Sequence, residues 1–234
     1  MDGPGSGPHP TGLVTETLAA ALGTVHRPDP VAPRTGGPAG NARLTAWLGL
    51  LLLPLFIAEC VTLLDLHGLI SVHIVVGTLL VPLVLLKTAS TAWRIARYYL
   101  GSDVYRQAGP PPLLLRVLGP LVVLTALAVL GSGLALIALG DSTFTPLGAV
   151  GGFQLNALDI HKASFVAWLA VTALHALART VPAVQLVGGS KAHRLTVPGG
   201  ANRAGLVLLG VIVAIGVALV VLHLSGYWTH GRYR

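Results

Sequence analysis

Five long apolar runs constrain this chain more than any other feature. The first is TAWLGLLLLPLFIAECVTLLDL, residues 45–66. The second occupies 69–88, beginning LISVHIVVGTLLVPLVLLK, and continues into a mixed helical tail, TASTAWRIARYYL, to residue 100. The third is PLLLRVLGPLVVLTALAVLGSGLALIAL, 112–139. The fourth covers 158–184 and contains DIHKASFVAWLAVTALHALART. The fifth is AGLVLLGVIVAIGVALVVLHLSGYW, 204–228. A helix needs about 20 apolar residues to cross a hydrocarbon core of about 30 Å, and each run meets or exceeds that length. Only 10% of residues are charged and the mean hydropathy is +0.77, whereas a soluble domain carries about a quarter charged residues. The expected fold class is therefore all-α, an integral membrane helical bundle of about five transmembrane helices. Pro54 and Pro82 fall inside spans, which a bilayer tolerates because neighbouring helices satisfy the freed backbone groups.

Residues 1–43 are rich in Gly and Pro and read as a mostly disordered segment. Within it, TGLVTETLAAALGTV has the composition of a short helix. The segment lacks the basic start and apolar core of a signal peptide. The bundle is expected over 44–228, followed by a short tail, 229–234. The single cysteine, Cys60, excludes an internal disulfide and a CxxC motif.

The net charge of +7 would suggest nucleic acid in a soluble protein. Here the basic residues cluster at the ends of the apolar runs. Twelve fall on one side: Arg27, Arg34, Arg43, Lys87, Arg94, Arg97, Arg106, Arg116, Arg179, Lys191, Arg194 and Arg203. Only Lys162, Arg232 and Arg234 fall on the other. The positive-inside rule then expects a multi-pass plasma-membrane protein, with its N-terminus in the cytoplasm and its C-terminus outside. The partner is lipid, not nucleic acid. In the tail of the second span, Trp93, Tyr98 and Tyr99 fit an interfacial aromatic belt, and Arg94 and Arg97 fit lipid headgroups.

That topology fixes the depth of the histidines. The second and fourth spans run parallel, from outside to inside. His73 and His161 each lie about one turn into their span, at similar depth near the outer face. His175 is 14 residues beyond His161, about 21 Å further in and within roughly 40° of the same helix face. Two imidazoles at one depth on two helices are the geometry of axial haem ligation. Gly77, one turn after His73, removes a side chain that would meet a porphyrin face. Lys162, beside His161, is suited to pairing with a propionate. The alternative is interfacial or structural hydrogen bonding by these rings, and for His175 an interhelical bond or a proton-relay role. His67 and His223, near the outer boundary, are substitutes for His73 or His161. His9, His26, His193 and His230 lie in loops or tails.

Paired histidines 13 or 14 residues apart on parallel helices resemble the pattern of respiratory cytochrome b and related b-type cytochromes that anchor hydrogenases, formate dehydrogenases and molybdenum oxidoreductases. Within that superfamily the chain is most similar to an actinobacterial transmembrane group with HGL..VH, an LK..STA.R..RYY tail and a HKASF start to the fourth span. The resemblance covers about residues 45–185. It implies His73 opposite His161 at an outer haem b. It also implies an extracytoplasmic molybdopterin-type oxidoreductase as a partner. The pattern departs at Lys87, which stands 14 residues after His73 where a second inner ligand is expected. One haem is therefore expected. A second site would use His175 with Lys87 or another group as a substitute ligand, unless Lys87 is a snorkelling anchor.

Glu59 lies inside the first span, where an ionisable side chain must face the bundle and find a partner. A quinone-site hydrogen bond, a proton path, a pairing with a histidine, and a protonated carboxyl bonded to a neighbouring helix are all open. Asp65 and Asp159 sit at the outer rim, and Asp159 is placed to help begin the fourth helix. Gly131 and Gly133 suggest close helix contact or room for a cofactor edge. No nucleophile–base set, phosphate loop, zinc spacing or dinucleotide fingerprint is present. The expected function is a membrane-anchored b-type haem protein moving electrons between an extracytoplasmic partner and quinone or another acceptor. As an enzyme it is at most a haem-dependent oxidoreductase or a membrane subunit of one. The alternative is a haem-free membrane scaffold or transporter component.

Overall fold

The computed structural model describes residues 10–24, 29–109, 113–188 and 197–230. The expectations for His9, His26, Arg27, Lys191, His193, Arg194, Arg232 and Arg234 fall outside these residues. The helices are α1 (Pro10–Ala21), α2 (Gly37–Thr62), α3 (Leu66–Tyr99), α4 (Asp103–Ala108), α5 (Leu113–Leu139), α6 (Ala157–Gly188), α7 (Gly200–Leu224) and α8 (Gly226–His230). The protein is an all-α bundle with four stretches long and apolar enough to cross a membrane, the first of them running from Gly37 to Tyr99. That first stretch folds back on itself. A short 3₁₀ turn, Leu63–Asp65, joins α2 to α3. Asp65 leaves helical geometry (φ −145°, ψ 71°), and its carboxylate caps α3 by accepting from the Gly68 N–H. The fold-back is antiparallel. Asn41 Nδ2 donates to the Ser90 carbonyl at 2.8 Å near one end, and Thr62 Oγ1 lies 2.9 Å from His73 Nδ1 near the other. Five long helical rods result.

Local sequence explains the helix starts and stops. The helix expected from residue 45 begins earlier, at Gly37: Gly36 takes a left-handed φ of 79° and Pro38 stands in the first turn, where proline is preorganised for a helix. The start of α6 is a reciprocal cap, with Asn156 N–H donating to Asp159 and Asp159 N–H donating to Asn156, both at 3.1 Å. The fifth run is not one helix to residue 228. It breaks at Ser225, whose hydroxyl is bonded to the Leu222 carbonyl, and resumes as α8. The expected short N-terminal helix is present as α1, which packs on α6 and α5. Between α5 and α6 a two-stranded hairpin pairs Gly148–Val150 with Phe153–Leu155.

Helices α3 and α6 stand diagonally, with α2 packed against both on one side and α5 against both on the other. Helix α7 lies outside this square, against α3. Two buried clusters fill the bundle. One is at mid-depth: Leu52, Leu80, Leu83, Val84, Ala126, Trp168 and Ala214. The other is nearer the Asp65 end: Ile74, Leu136, Ala157 and Trp228. Trp228 locks α8 to α5 through its indole N–H and the Leu136 carbonyl, 3.1 Å apart. Large apolar side chains project outward along the rods, with Leu124, Val166, Leu177 and Leu219 all more than 60% exposed. Such continuous apolar surface is at home only in lipid. The chain is a multi-pass membrane protein.

Candidate functional site

Between the two clusters lies a cavity of about 330 Å³, walled by α3, α5 and α6 and reached by α2 through Phe56 and Glu59. Its lining is almost wholly apolar, yet His73 and His161 both face it. Their ring centres are 6.5 Å apart, with the planes at 82°. The sequence expectation that they share a depth on parallel helices is met in the fold.

The hydroxyls beside each ring bear on which nitrogen carries the proton. Thr62 Oγ1 donates to the Glu59 carbonyl at 2.6 Å, so its oxygen is left to accept from His73 Nδ1 at 2.9 Å. Ser132 Oγ donates to the Val129 carbonyl at 3.1 Å and lies 3.0 Å from His161 Nδ1. Where each hydroxyl gives its single hydrogen to the helix carbonyl, each imidazole donates through Nδ1. Glu59 Oε1 adds a second acceptor for His73 Nδ1, at 3.1 Å. In neutral rings this leaves both Nε2 atoms as bare lone pairs, the state that a metal requires, with Nδ1 tethered to fix ring orientation.

Glu59 is 12% exposed at its side chain, and its Oε2 is buried without a partner. It therefore takes one of the roles left open by sequence, pairing with a histidine. Gly77 lines the cavity, but its immediate constraint differs from the one expected: an added Cβ would lie 2.9 Å from Glu59 Oε1. Gly133 carries the matching constraint on the other side, where a Cβ would lie 3.2 Å from His161 Cε1. Gly131 has nothing within 4 Å of such a Cβ. Lys162 is exposed at the cavity margin. His67 also lines the cavity from the exposed start of α3, while His223 and His230 are exposed and do not line it.

The inner residues are arranged differently. Lys87 Nζ donates to the Thr45 carbonyl across the hairpin at 2.8 Å. His175 lies near enough to Lys87 and Arg179 to feel their charges, and its Nδ1 is buried with no hydrogen-bond partner. The snorkelling role open to Lys87 gives way to an interior tether. Arg94, expected among lipid headgroups, is instead bound bidentately by Asp29 at 3.0 and 2.7 Å.

Thr62 and Ser132 were not singled out by sequence. Both are hydroxyls within apolar runs, and Ser132 sits between the two glycines of VLGSGLAL. Among the described residues there is no group of three or more His, Cys, Asp or Glu side chains able to hold a bare metal ion. The pair can at most supply two ligands to a metal otherwise held. The chain matches no protein-family model, no curated protein and no solved structure.

Proposed function

We propose that the protein binds one b-type haem between α3 and α6, with His73 and His161 as axial ligands, and carries electrons within the membrane. The convergence of the two rings carries this reading. Two imidazoles converging on one apolar cavity would hold a haem iron through their Nε2 atoms. His73 and His161 stand 6.5 Å apart. Their Nδ1 tethers and the apolar lining support the same reading.

Haem, when bound, supplies a one-electron couple. The chain's own residues orient the ligands, exclude water and set the surrounding polarity. Phe165 and Trp168 add an aromatic wall at the inner end of the cavity. Lys162 at the margin would pair with a propionate. The incomplete inner set favours a single haem, because Lys87 already has a carbonyl partner.

The distribution of Lys and Arg supports an orientation with the basic end in the cytoplasm and the haem toward the outer leaflet. Electrons would then pass between an outer-face partner and quinone. A molybdopterin-type partner rests on the family resemblance alone.

The deciding experiment is an absorption spectrum of detergent-purified protein, oxidised and dithionite-reduced, with haem quantified per chain. A sharp reduced α-band and about one haem per chain are expected. Protein purified without haem, after expression with ample haem supply, overturns the reading and leaves a haem-free membrane protein.

A further inference from the structure

A second cavity, of about 520 Å³, lies at the opposite, basic end of the bundle, among α2, the tail of α3, α4 and α7. Arg97 and Arg203 line it, and no Asp or Glu does among the described residues. Arg97 is held over two rings, its guanidinium carbon 5.6 Å from the centre of Trp93 and 5.9 Å from that of Tyr105. Stacking of this kind positions the cation without neutralising it.

Arg203 is only 6% exposed. Its Nη1 donates to the Thr35 and Pro198 carbonyls at 3.1 and 2.8 Å, and its Nη2 to the Val197 carbonyl at 3.2 Å. Its Nε is buried with no partner. Carbonyls satisfy hydrogens but carry no net charge. Arg43, 4% exposed, lies close enough to repel it. The unpartnered buried N–H of Arg203 calls for an acceptor.

Two helix starts converge on the same cavity. The 26-residue α2 begins after Gly36 (φ 79°), and the 25-residue α7 begins after Gly199 (φ 81°). The start of α7 has no side-chain cap. The two starts touch: a Cβ on Gly36 would lie 2.7 Å from Val197 Cγ1, and one on Gly199 would lie 3.2 Å from the Thr35 carbonyl. The first-turn N–H groups of α2 are already taken, Gly37 N–H by Thr35 Oγ1 at 3.3 Å and Ala39 N–H by the Pro30 carbonyl at 3.2 Å, and Pro38 has none, so it is the start of α7, with its partial positive charge, that attracts an anion. Toward the membrane the lining turns apolar, through Leu44, Leu86 and Leu206.

We propose that this cavity binds a phosphate-bearing anion, with the phosphate between Arg97, Arg203 and the start of α7. The apolar side of the cavity favours the headgroup of an anionic phospholipid, whose chains would run along Leu44, Leu86 and Leu206. The site is independent of haem binding.

The test uses the full-length protein in detergent. Phosphatidylglycerol, phosphatidylcholine of the same acyl chains, and inorganic phosphate are each titrated. Bound ligand is read by native mass spectrometry and the unfolding midpoint by intrinsic fluorescence. Phosphatidylglycerol should be retained and should raise the midpoint, whereas phosphatidylcholine should not. Arg97→Gln should weaken retention about tenfold, by loss of one charge-assisted contact. Asn202→Asp, which sets a carboxylate on the lining, should do the same. Arg106→Gln, an exposed cation off the cavity, should change nothing. Arg203 is left intact because its carbonyl contacts hold the fold. Retention of phosphatidylglycerol assigns the site to lipid; inorganic phosphate binding without it, still lost in Arg97→Gln, assigns it to the free anion. Equal retention of phosphatidylcholine with no phosphate binding overturns the proposal. So does an Arg106→Gln loss as large as that of Arg97→Gln.

Discussion

Glu59 of α2 and His73 of α3 meet just inside the turn that joins their helices, with Glu59 Oε1 3.1 Å from His73 Nδ1. His161 has the Ser132 hydroxyl and the Val129 carbonyl beside its ring, and no carboxyl group. The two proposed ligands are therefore inequivalent: one faces a carboxyl group as well as a hydroxyl, the other a hydroxyl and a backbone carbonyl. A stronger acceptor at Nδ1 makes the imidazole a stronger donor through Nε2. That favours the oxidised metal.

Replacing Glu59 should therefore raise the haem potential without removing the haem. In Glu59→Gln the amide oxygen can still accept from Nδ1, so the rise should be small. In Glu59→Leu only Thr62 remains. A tenfold loss of preference for the oxidised state corresponds to about 59 mV for one electron. Redox titration of the purified variants measures this. A Glu59→Leu potential equal to or below that of the parent would refute the tuning role.

His73→Ala and His161→Ala should each abolish the sharp reduced α-band, since one axial ligand does not replace the other. His175→Ala should leave about one haem per chain, because Lys87 is held by the Thr45 carbonyl and offers His175 no free partner. Haem quantification across the three variants separates them. Halved haem in His175→Ala would mean that two sites exist.

Gly133 and Gly131 make a paired test two residues apart on α5. A Cβ at Gly133 would come 3.2 Å from His161 Cε1, while one at Gly131 meets nothing within 4 Å. Gly133→Val should push the His161 ring off its Ser132 contact and lower haem occupancy. Gly131→Ala should bind haem as the parent does. Equal occupancy in both would show that the ring position is not what limits binding.

The helical rods were legible because run length alone separates spans from core helices. The shared depth of His73 and His161 was legible too, because it follows from parallel direction and distance from the span ends. The partners of those rings were not. Thr62 and Ser132 could be assigned only once the face each presents was known, and hydroxyls in apolar helices more often bond their own backbone, as Thr78 and Thr125 do here. Composition also misdirected the start of α2. Gly and Pro there suggest disorder, whereas Gly36 and Pro38 supply a left-handed start and a preorganised first turn. The Asp65 fold-back left a readable sign, an Asp three residues before Gly68, at which a Cβ would collide with the Asp65 carboxylate.

Asp29 lies in the Pro-rich segment before α2, and nothing local marks it as the partner of Arg94, 65 positions away. The pair is bidentate, at 2.7 and 3.0 Å, with side chains 22% and 30% exposed. Two parallel charge-assisted bonds in a partly buried setting exceed an ordinary surface ion pair. Asp29→Asn should lower stability by about 1 kcal/mol, a midpoint shift of about 3 °C for a chain of this size. It should also hasten proteolysis of residues 29–36, which this contact ties to the tail of α3. Arg94→Asp alone should be worse, because two carboxylates would then face each other. The exchange Asp29→Arg with Arg94→Asp should recover part of the loss. A double variant no more stable than Arg94→Asp would show that the charges do not pair in the folded protein.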